Sequence, residues 1–405
     1  MSQQKSDQNT RKIKQRKRTL FYFYAISSRL DSGSTLQIVN DYSRLSEANW
    51  HVHLAAFHAN INDRERLSLY IQPQRGPSLT IHNHKDRQKY TNRLILIVDF
   101  LQWLITNLAN EKVCVLREDK HLGLIKAFQK IADFKLVSEI HEAGLPETSR
   151  SGKRGNFQGF LNSLDGILLT SNAQKAHIKT KEYSLPNCII LHNGVELRIF
   201  AQAKRKSNGH KIITYTGMFN PWKNIPLLFQ SLQRLPEEYS LRIAGGKMNC
   251  LDSSRYIQNL CTEYGVADRV DFRGYVLREN LAQEVLSGSS VLAVPLDNSI
   301  SAMYATSPMK LIEYLATQIP IVAVNAPSIR SIVTEKEALL CDANPEAFAK
   351  AITNACNEDQ TQRVRHANEL AKLYDHGNRA EQLSSWLEIL PRRSQKPEKG
   401  YRKKE

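Results

Sequence analysis

Short apolar segments alternate with helical segments along most of the chain, and this alternation constrains the fold more than any other feature. The apolar segments cover residues 20–25, 51–57, 113–116, 135–140, 166–170 and 188–191 in the first half, and 212–215, 240–244, 270–272, 291–294 and 321–324 in the second. Strands separated by helices are typical of parallel sheets in doubly wound domains. We therefore predict an α/β protein with two Rossmann-like doubly wound domains facing a cleft.

Length and local composition divide the chain. Its 405 residues suggest two or three domains of ordinary size. The polar segment 201–210, AQAKRKSNGH, is the predicted linker. We predict a first domain over residues 19–200, a second over 211–375 and a final helix over 376–390, with Leu383, Trp386, Leu387 and Leu390 on one apolar stripe.

The net charge of +16 is concentrated at the two ends. Residues 1–18 hold seven basic residues and one acid, and residues 391–405 hold seven basic residues and two acids, so the tails carry +11 and the body +5. Such charge blocks favour disordered, solvated ends. Attraction to an anionic membrane is the alternative. Nucleic acid is disfavoured, because the tails lack interleaved aromatic residues.

The remaining composition suggests a cytoplasmic protein. Residues 1–18 are polar, so no signal peptide is predicted. The most apolar segment, 94–108, is shorter than the ~20 residues that cross a bilayer. It indicates either a buried helix or one that dips into the membrane surface. The six cysteines are scattered without a Cys-x-x-Cys pair, which favours reduced thiols over a zinc site.

Residues 301–325, SAMYATSPMKLIEYLATQIPIVAVN, hold the most informative motif. Pro308 suits the first position of a helix and Ser307 suits its N-cap. The free N–H groups at such a helix start, at Ser307, Met309 and Lys310, would bind a phosphate. Glu313 lies on the polar side of the same helix, where its carboxylate can accept hydrogen bonds from two ribose hydroxyls.

Other polar and glycine residues follow the predicted strands, where ligands bind in open parallel sheets. In the first domain these are Gly33 and the pair His141 and Glu142. In the second domain they are Gly217 and Lys223, then Gly245 and Gly246, and finally Tyr275. One cleft can gather all of them.

Four segments in this order resemble the glycosyltransferases of family 4. These are VSEIHEAG at 137–144, IILHNGV at 189–195, ITYTGMFNPWKNIPLLFQSL at 213–232 and the SPMKLIEYLA motif. The resemblance implies the GT-B architecture, with the last helix returning to the first domain. It also implies that Lys223 binds pyrophosphate, that His141 lies beside the donor sugar and that Tyr275 lies in the loop against the base.

Two positions depart from the family pattern. The family often shows Glu-x7-Glu, and here Ala305 holds the earlier position and Glu313 the later one. The family also often shows Arg-x4-Lys, and here the pair is Met218 and Lys223. Both changes remove charge from the donor site and leave Lys223, with Lys310 assisting, to balance a diphosphate.

The resemblance implies a retaining glycosyltransferase that moves a sugar from a UDP- or GDP-sugar to a saccharide or lipid-linked acceptor. The chain has no Asp-x-Asp pair, so we expect no metal and no cofactor, with charge stabilised by Lys223, Lys310 and helix N–H groups. We expect a role in cell-surface polysaccharide or glycolipid synthesis, in the cytoplasm or on the inner face of the membrane. A nucleotide-sugar epimerase and a non-catalytic nucleotide-sugar-binding subunit are the alternatives.

Each site residue also has a purely structural interpretation. Lys223 could be a solvated helix residue, and Glu313 could be a surface carboxylate paired with Lys310. His141 could be a hydrogen-bonded residue at a strand end, and Glu142 could face solvent. Gly33 could only form a turn, whereas Tyr275 and the two adjacent glycines could serve packing alone.

Overall fold

The computed structural model describes residues 17–27, 33–71, 78–87, 89–108, 110–117, 119–141, 145–147, 149–205, 209–246 and 251–391. Nearly all of the two basic tails lies outside these residues, so their predicted properties stay predictions. The described residues contain two wholly parallel sheets, as the alternation of apolar segments and helices predicts.

The first sheet has seven strands in the order β3-β2-β1-β4-β5-β6-β7. The strands are β1 Arg18–Ser27, β2 Trp50–His58, β3 Leu79–Lys85, β4 Glu111–Leu116, β5 Lys135–Ile140, β6 Gly166–Leu169 and β7 Cys188–Ile190.

The second sheet has six strands in the order β10-β9-β8-β11-β12-β13. The strands are β8 Lys211–Gly217, β9 Tyr239–Gly245, β10 Val270–Phe272, β11 Val291–Val294, β12 Ile321–Val324 and β13 Leu339–Cys341.

Helices cover both sheets. In the first domain they are α1 Gly33–Leu45, α2 Ile61–Ile71, α3 Lys89–Thr106, α4 Leu122–Gln129, α5 Arg150–Lys153, α6 Phe157–Asn162, α7 Asn172–Thr180 and α8 Leu197–Phe200. The rest are α9 Ile225–Leu232, α10 Leu251–Tyr264, α11 Arg278–Asn280, α12 Met309–Leu315, α13 Pro327–Arg330, α14 Pro345–Asn357, α15 Thr361–Leu373 and α16 His376–Ile389. Two π-helical segments, Leu281–Leu286 and Ser301–Ala305, flank β11.

The sequence pattern did not predict β3 and β13, and both are edge strands. Strand β3 reads LTIHNHK and is only partly buried, while β13 has three half-buried residues. An edge strand contacts the sheet on one side and tolerates polar residues or a short length. Strand β3 therefore lacks the continuous apolar run that identifies a central parallel strand, whereas β13 is apolar but has only three residues.

Alternate residues of β1 build the two cores of the first domain. Leu20 and Tyr22 pack with α1 on one face, whereas Phe21 and Phe23 pack with Phe100 of α3 on the other. All four side chains are buried because helices cover both faces of a parallel sheet.

One side of helix α3 is buried, as predicted for the apolar segment 94–108, and contact of its other side with a membrane surface stays a prediction. Leu96, Phe100 and Trp103 are buried, whereas Leu94 and Val98 are exposed on the opposite side. None of the helices in the described residues combines the length and hydropathy that crossing a bilayer requires.

Helix α16 returns to the first domain, as predicted. Leu383 and Leu387 belong to the same buried cluster as Leu20 and Tyr42. The indole Nε1 of Trp50 donates a hydrogen bond to Ser384 Oγ over 3.0 Å. The C-terminal helix therefore completes the core of the domain from which it is most distant in sequence.

We expect Leu383→Ala to destabilise the first domain by about 2–5 kcal/mol, because it leaves a cavity between α16 and the sheet. Chemical denaturation followed by circular dichroism measures this loss. The matched control is Leu373→Ala on α15, where the side chain is 62% exposed and the expected change is within about 0.5 kcal/mol. Equal effects of the two substitutions would contradict the packing role of α16.

Candidate active site

A cleft of about 540 Å³ lies between the two domains at the C-terminal ends of the strands. This volume falls within the range of small-molecule sites, about 300–1,000 Å³. The first domain contributes Leu36, Gln37, Arg117, His141 and Asn193 to its walls. The second domain contributes the larger share, including Gly217, Met218, Lys223, Gly245, Gly246, Tyr275, Arg278, Ser307, Met309, Lys310 and Glu313.

Most predicted donor-site residues therefore share one cavity. Glu142 lies outside the described residues. Gly33 is the first residue of α1, one turn before the wall residues Leu36 and Gln37. The donor contacts of Gly33 and Tyr275 stay predictions.

Glycines at the ends of β8 and β9 bring backbone to the cleft surface. Gly245 has φ +148°, and its N–H donates to the carbonyl of Gly274 over 2.7 Å. A Cβ atom at Gly245 would lie 1.8 Å from the Gly217 carbonyl oxygen, so this position excludes side chains. The turns after β8 and β9 therefore pack closely together, and their backbone lines the cleft.

Helix α12 begins one residue later than the sequence motif suggests. Pro308 occupies the N-cap position and Met309 is the first helical residue, so the prediction of Ser307 as N-cap is wrong. Ser307 instead joins the domains, because its hydroxyl and carbonyl oxygens accept hydrogen bonds from the backbone and side chain of Asn193. The start of α12 nevertheless lines the cleft.

Lys310 is enclosed beside the β8 turn. Its side chain is buried, its Nζ lies 3.5 Å from the centroid of the Tyr215 ring, and Nζ has no hydrogen-bond partner among the described residues. A Cβ atom on Gly217 would lie 3.3 Å from Nζ. Burial, together with the nearby charge of Lys223, holds the pKa of Lys310 well below the ordinary lysine value.

Lys223 ends a 3-10 turn, Pro221–Lys223, that follows β8. Its Nζ lies 3.6 Å from the centroid of the Trp222 ring, and both residues line the cleft. The side chain is half-buried, so Lys223 is not the solvated helix residue of the structural alternative. Two lysines, one from the turn after β8 and one from the start of α12, therefore reach the same wall of the cleft.

Glu313 is buried and faces an arginine that the sequence reasoning missed. A guanidinium nitrogen of Arg278 lies 3.0 Å from Glu313 Oε1, and the two side chains are 6% and 9% exposed. The alternative of a surface carboxylate paired with Lys310 is therefore wrong. Arg278 also stacks over the Phe200 ring at 5.6 Å, and both it and Glu313 line the cleft.

His141 directly follows β5 on the first-domain wall, and its Nε2 lies 3.4 Å from Glu139 Oε1. Burial, reinforced by Arg117 and opposed by Glu139, lowers the pKa of His141. The imidazole is therefore neutral near neutral pH, where it can both donate and accept hydrogen bonds. Arg117, at the end of β4, lines the cleft beside it and was also missed.

Ala305, at the family's earlier glutamate position, has a structural explanation. It is 5% exposed and packs into the core of the first domain, and the adjacent Tyr304 stacks on His177 of α7 with ring centroids 4.7 Å apart. A glutamate at this position would enter an apolar interface without a partner. The π-helical segment Ser301–Ala305 serves as a contact between the domains.

Apart from their position in the chain, Arg278 and Arg117 had no signal in the sequence that distinguishes them from surface residues. Arg278 follows the predicted loop at Tyr275 by three residues, and Arg117 immediately follows a predicted strand. Position after a strand was the only signal that could have identified them. Together the cleft walls present two arginines, two lysines and free N–H groups, a combination that suits an anionic ligand with hydroxyl groups.

Comparison with known proteins agrees with this chemistry. Residues 198–372 match the family model described as glycosyl transferases group 1. A D-inositol 3-phosphate glycosyltransferase of Mycobacteroides abscessus is 33% identical over 26% of this chain. The chain aligns with only about a quarter, 26%, of the length of that relative.

Solved structures match nearly the whole chain. A sucrose-phosphate synthase from Thermosynechococcus elongatus has a TM-score of 0.69 at 17% identity, over 92% of this chain and 98% of its own. HepE of Anabaena, in complex with UDP and glucose, has a TM-score of 0.66 at 14% identity, over 92% and 99% of the two chains. The chain therefore has the GT-B fold, and residues 198–372, which include most of the second domain, carry the sequence pattern of the group 1 glycosyl transferases.

Proposed function

We propose that the protein is a retaining glycosyltransferase that moves a sugar from a nucleoside-diphosphate sugar to an acceptor hydroxyl. The observation that carries this proposal is the enclosed amino group of Lys310, which has no hydrogen-bond partner among the described residues and lies beside Lys223 in the cleft. A buried amine beside another cation gains its proton favourably only when an anion lies between the two groups. A diphosphate supplies that anion.

Lys310 would take the place of the family arginine that Met218 replaces. Met218 directly follows Gly217, the residue against which the Lys310 ammonium lies, and its carbonyl accepts a hydrogen bond from the Tyr215 hydroxyl over 2.8 Å. Lys310 of α12 thus places its amino group beside the turn at Met218, where the family arginine is absent. This placement supports catalysis over the alternative of a non-catalytic binding subunit.

The departing diphosphate gains negative charge as the glycosidic bond breaks. Lys223, Lys310 and the N–H groups at the start of α12 would stabilise this charge more strongly in the transition state than in the bound substrate. Glu313, held by Arg278, would bind the ribose hydroxyls. His141 would hydrogen-bond the donor sugar. The protein's own cations and dipoles are proposed to act without a metal ion.

The donor would be a UDP- or GDP-sugar and the acceptor a saccharide or a lipid-linked saccharide, in cell-surface polysaccharide or glycolipid synthesis. Because the structural neighbour HepE forms a complex with UDP and glucose, we propose a UDP-sugar ahead of a GDP-sugar as the donor. We further propose a cytoplasmic location with the basic tails attracting an anionic membrane surface.

We expect Lys310 to take up a proton when UDP binds. Burial and the charge of Lys223 lower the pKa of Lys310 and so favour its neutral amine, whereas a bound diphosphate favours the ammonium and raises this pKa. Affinity should therefore fall as pH rises. Calorimetry in buffers of different ionisation enthalpy measures the proton uptake.

Lys310→Met should abolish this proton uptake and weaken UDP binding, whereas the exposed Lys336→Met should change neither. Adding Met218→Arg to Lys310→Met should restore affinity without the proton uptake, because arginine stays charged. Unchanged proton uptake in Lys310→Met would contradict the assignment.

We expect Glu313→Gln to weaken UDP binding by about 1.5–3 kcal/mol, the value of a charge-assisted hydrogen bond. The change is measured by calorimetry, with thermal melting as a check because Arg278 loses its partner. A 2′,3′-dideoxy analogue of UDP should bind both forms alike. Exposed Glu284→Gln is the control. Equal loss for UDP and the dideoxy analogue would place the ribose elsewhere.

We expect Lys223→Ala to lower the rate of sugar transfer by a factor on the order of 100, by analogy with removing one transition-state donor. Release of UDP from the donor, with water or an added saccharide as acceptor, provides the measurement. The exposed Lys372→Ala should leave the rate unchanged. Wild-type turnover in Lys223→Ala would remove this residue from the mechanism.

A further inference from the structure

A cluster of buried charges lies beneath the first-domain wall of the cleft. It joins residues from five elements, β1, α1, β4, β5 and α16, and its members are Tyr22, Asp41, Arg117, Glu139, His376 and Arg379. Buried charges persist only where partners satisfy them. The site chemistry described so far does not use the centre of this cluster, Glu139.

Glu139 is the residue that the others surround. Its Oε2 accepts a hydrogen bond from the Tyr22 hydroxyl over 2.6 Å and lies 3.8 Å from Arg117 Nη1. Its Oε1 lies 3.4 Å from Arg379 Nη2 and 3.4 Å from His141 Nε2. Burial alone would raise the pKa of this carboxyl group, but the contacts with His141, Arg117 and Arg379 outweigh it and hold the pKa well below its usual range.

The remaining contacts fix Glu139 in place. Arg379 of α16 pairs with Asp41 over 2.8 Å and donates a hydrogen bond from Nε to the backbone oxygen of His192 over 2.9 Å. His376 of the same helix contacts the other oxygen of Asp41 over 2.8 Å. Helix α16 thus supplies Arg379, whose guanidinium contacts the Glu139 carboxylate beneath the cleft wall.

The surroundings of His141 dictate which ring nitrogen carries the proton. Nε2 is buried and makes no well-aligned hydrogen bond within the described part of the chain, and Glu139 Oε1 lies 3.4 Å from it. A buried N–H needs an acceptor, so a neutral imidazole places its proton on Nε2. The side chain as a whole is 23% exposed and lines the cleft, so the rest of the ring faces the cleft.

We propose that Glu139 is a positioning residue for His141. It holds the Nε2–H tautomer, so that Nδ1 accepts a hydrogen bond from a hydroxyl of the donor sugar. This inference rests on the proposed function, because it presumes a sugar beside His141. It extends that function to a buried residue that does not touch the ligand.

The tautomer can be read from the wild-type protein, which avoids any variant that fails to fold. In protein labelled with ¹⁵N-histidine and saturated with UDP, the two ring nitrogens of His141 should show Nε2 protonated and Nδ1 unprotonated at neutral pH. The His141→Gln spectrum assigns the signals. A protonated Nδ1 would overturn the proposal.

Kinetics then separate positioning from a structural role. Glu139→Gln should lower kcat for donor turnover by about 10- to 100-fold, the range for residues that orient an active group, with little change in KM. In a His141→Gln background the same substitution should lower kcat by less than about twofold, because coupled residues are not additive. If Glu139→Gln lowers kcat by the same 10- to 100-fold in the His141→Gln background, the proposal is overturned.

Asp99→Asn is the matched control. It removes a buried charge from the same domain, where Asp99 contacts His84 over 2.7 Å, and should lower the melting temperature comparably. Asp99 contacts none of the residues that hold Glu139 and does not line the cleft, so kcat should stay near wild type. A loss of kcat equal to that of Glu139→Gln would show that Glu139 acts only through stability. Absence of both UDP binding and donor turnover in the wild type would instead refute the proposed function, whereas the tautomer measurement tests Glu139 separately.

Discussion

The parallel alignment of every strand in the two sheets is the constraint on which the site depends. Parallel strands need helices on both faces, and they bring all their C-terminal ends to one edge. In this chain the two edges face each other, so loops after β5, β8, β9 and β11 meet in one cleft. Helix α16 completes the arrangement, because it covers the first sheet and carries Arg379 to the underside of the cleft wall.

Charge in the cleft is distributed differently from the pattern that the family motifs suggest. The turn after β8 has Met218 where an arginine is frequent, and Lys310 from α12 places its ammonium beside that turn. Ala305 packs between the domains in place of a glutamate. Both departures have local explanations. At Met218 the neighbouring helix α12 supplies the charge, and at Ala305 the apolar interface makes a charge unfavourable.

Buried ion pairs support both walls of the cleft. Arg278 holds Glu313 on the second domain, and Arg117 and Arg379 hold Glu139 on the first. Burial makes such pairs costly unless each charge is satisfied, so they fix side-chain orientation more than they add stability. A carboxylate and an imidazole are thereby presented to the cleft in defined directions.

The sequence alone determined the class of fold, most strand positions and the segments that line the cleft, because central parallel strands are continuously apolar and because ligand loops follow them. It did not reveal β3, whose edge position permits polar residues, or β13, which has only three residues. It placed the cap of α12 one residue early, since Ser307 is held by Asn193 of the other domain. Only the tertiary structure identified Arg278, Arg117 and Glu139, and it enclosed Lys310 against Gly217. The role of Glu139, for example, depends on contacts with Tyr22 and Arg379, which are 117 and 240 positions away, and local sequence patterns do not encode such contacts.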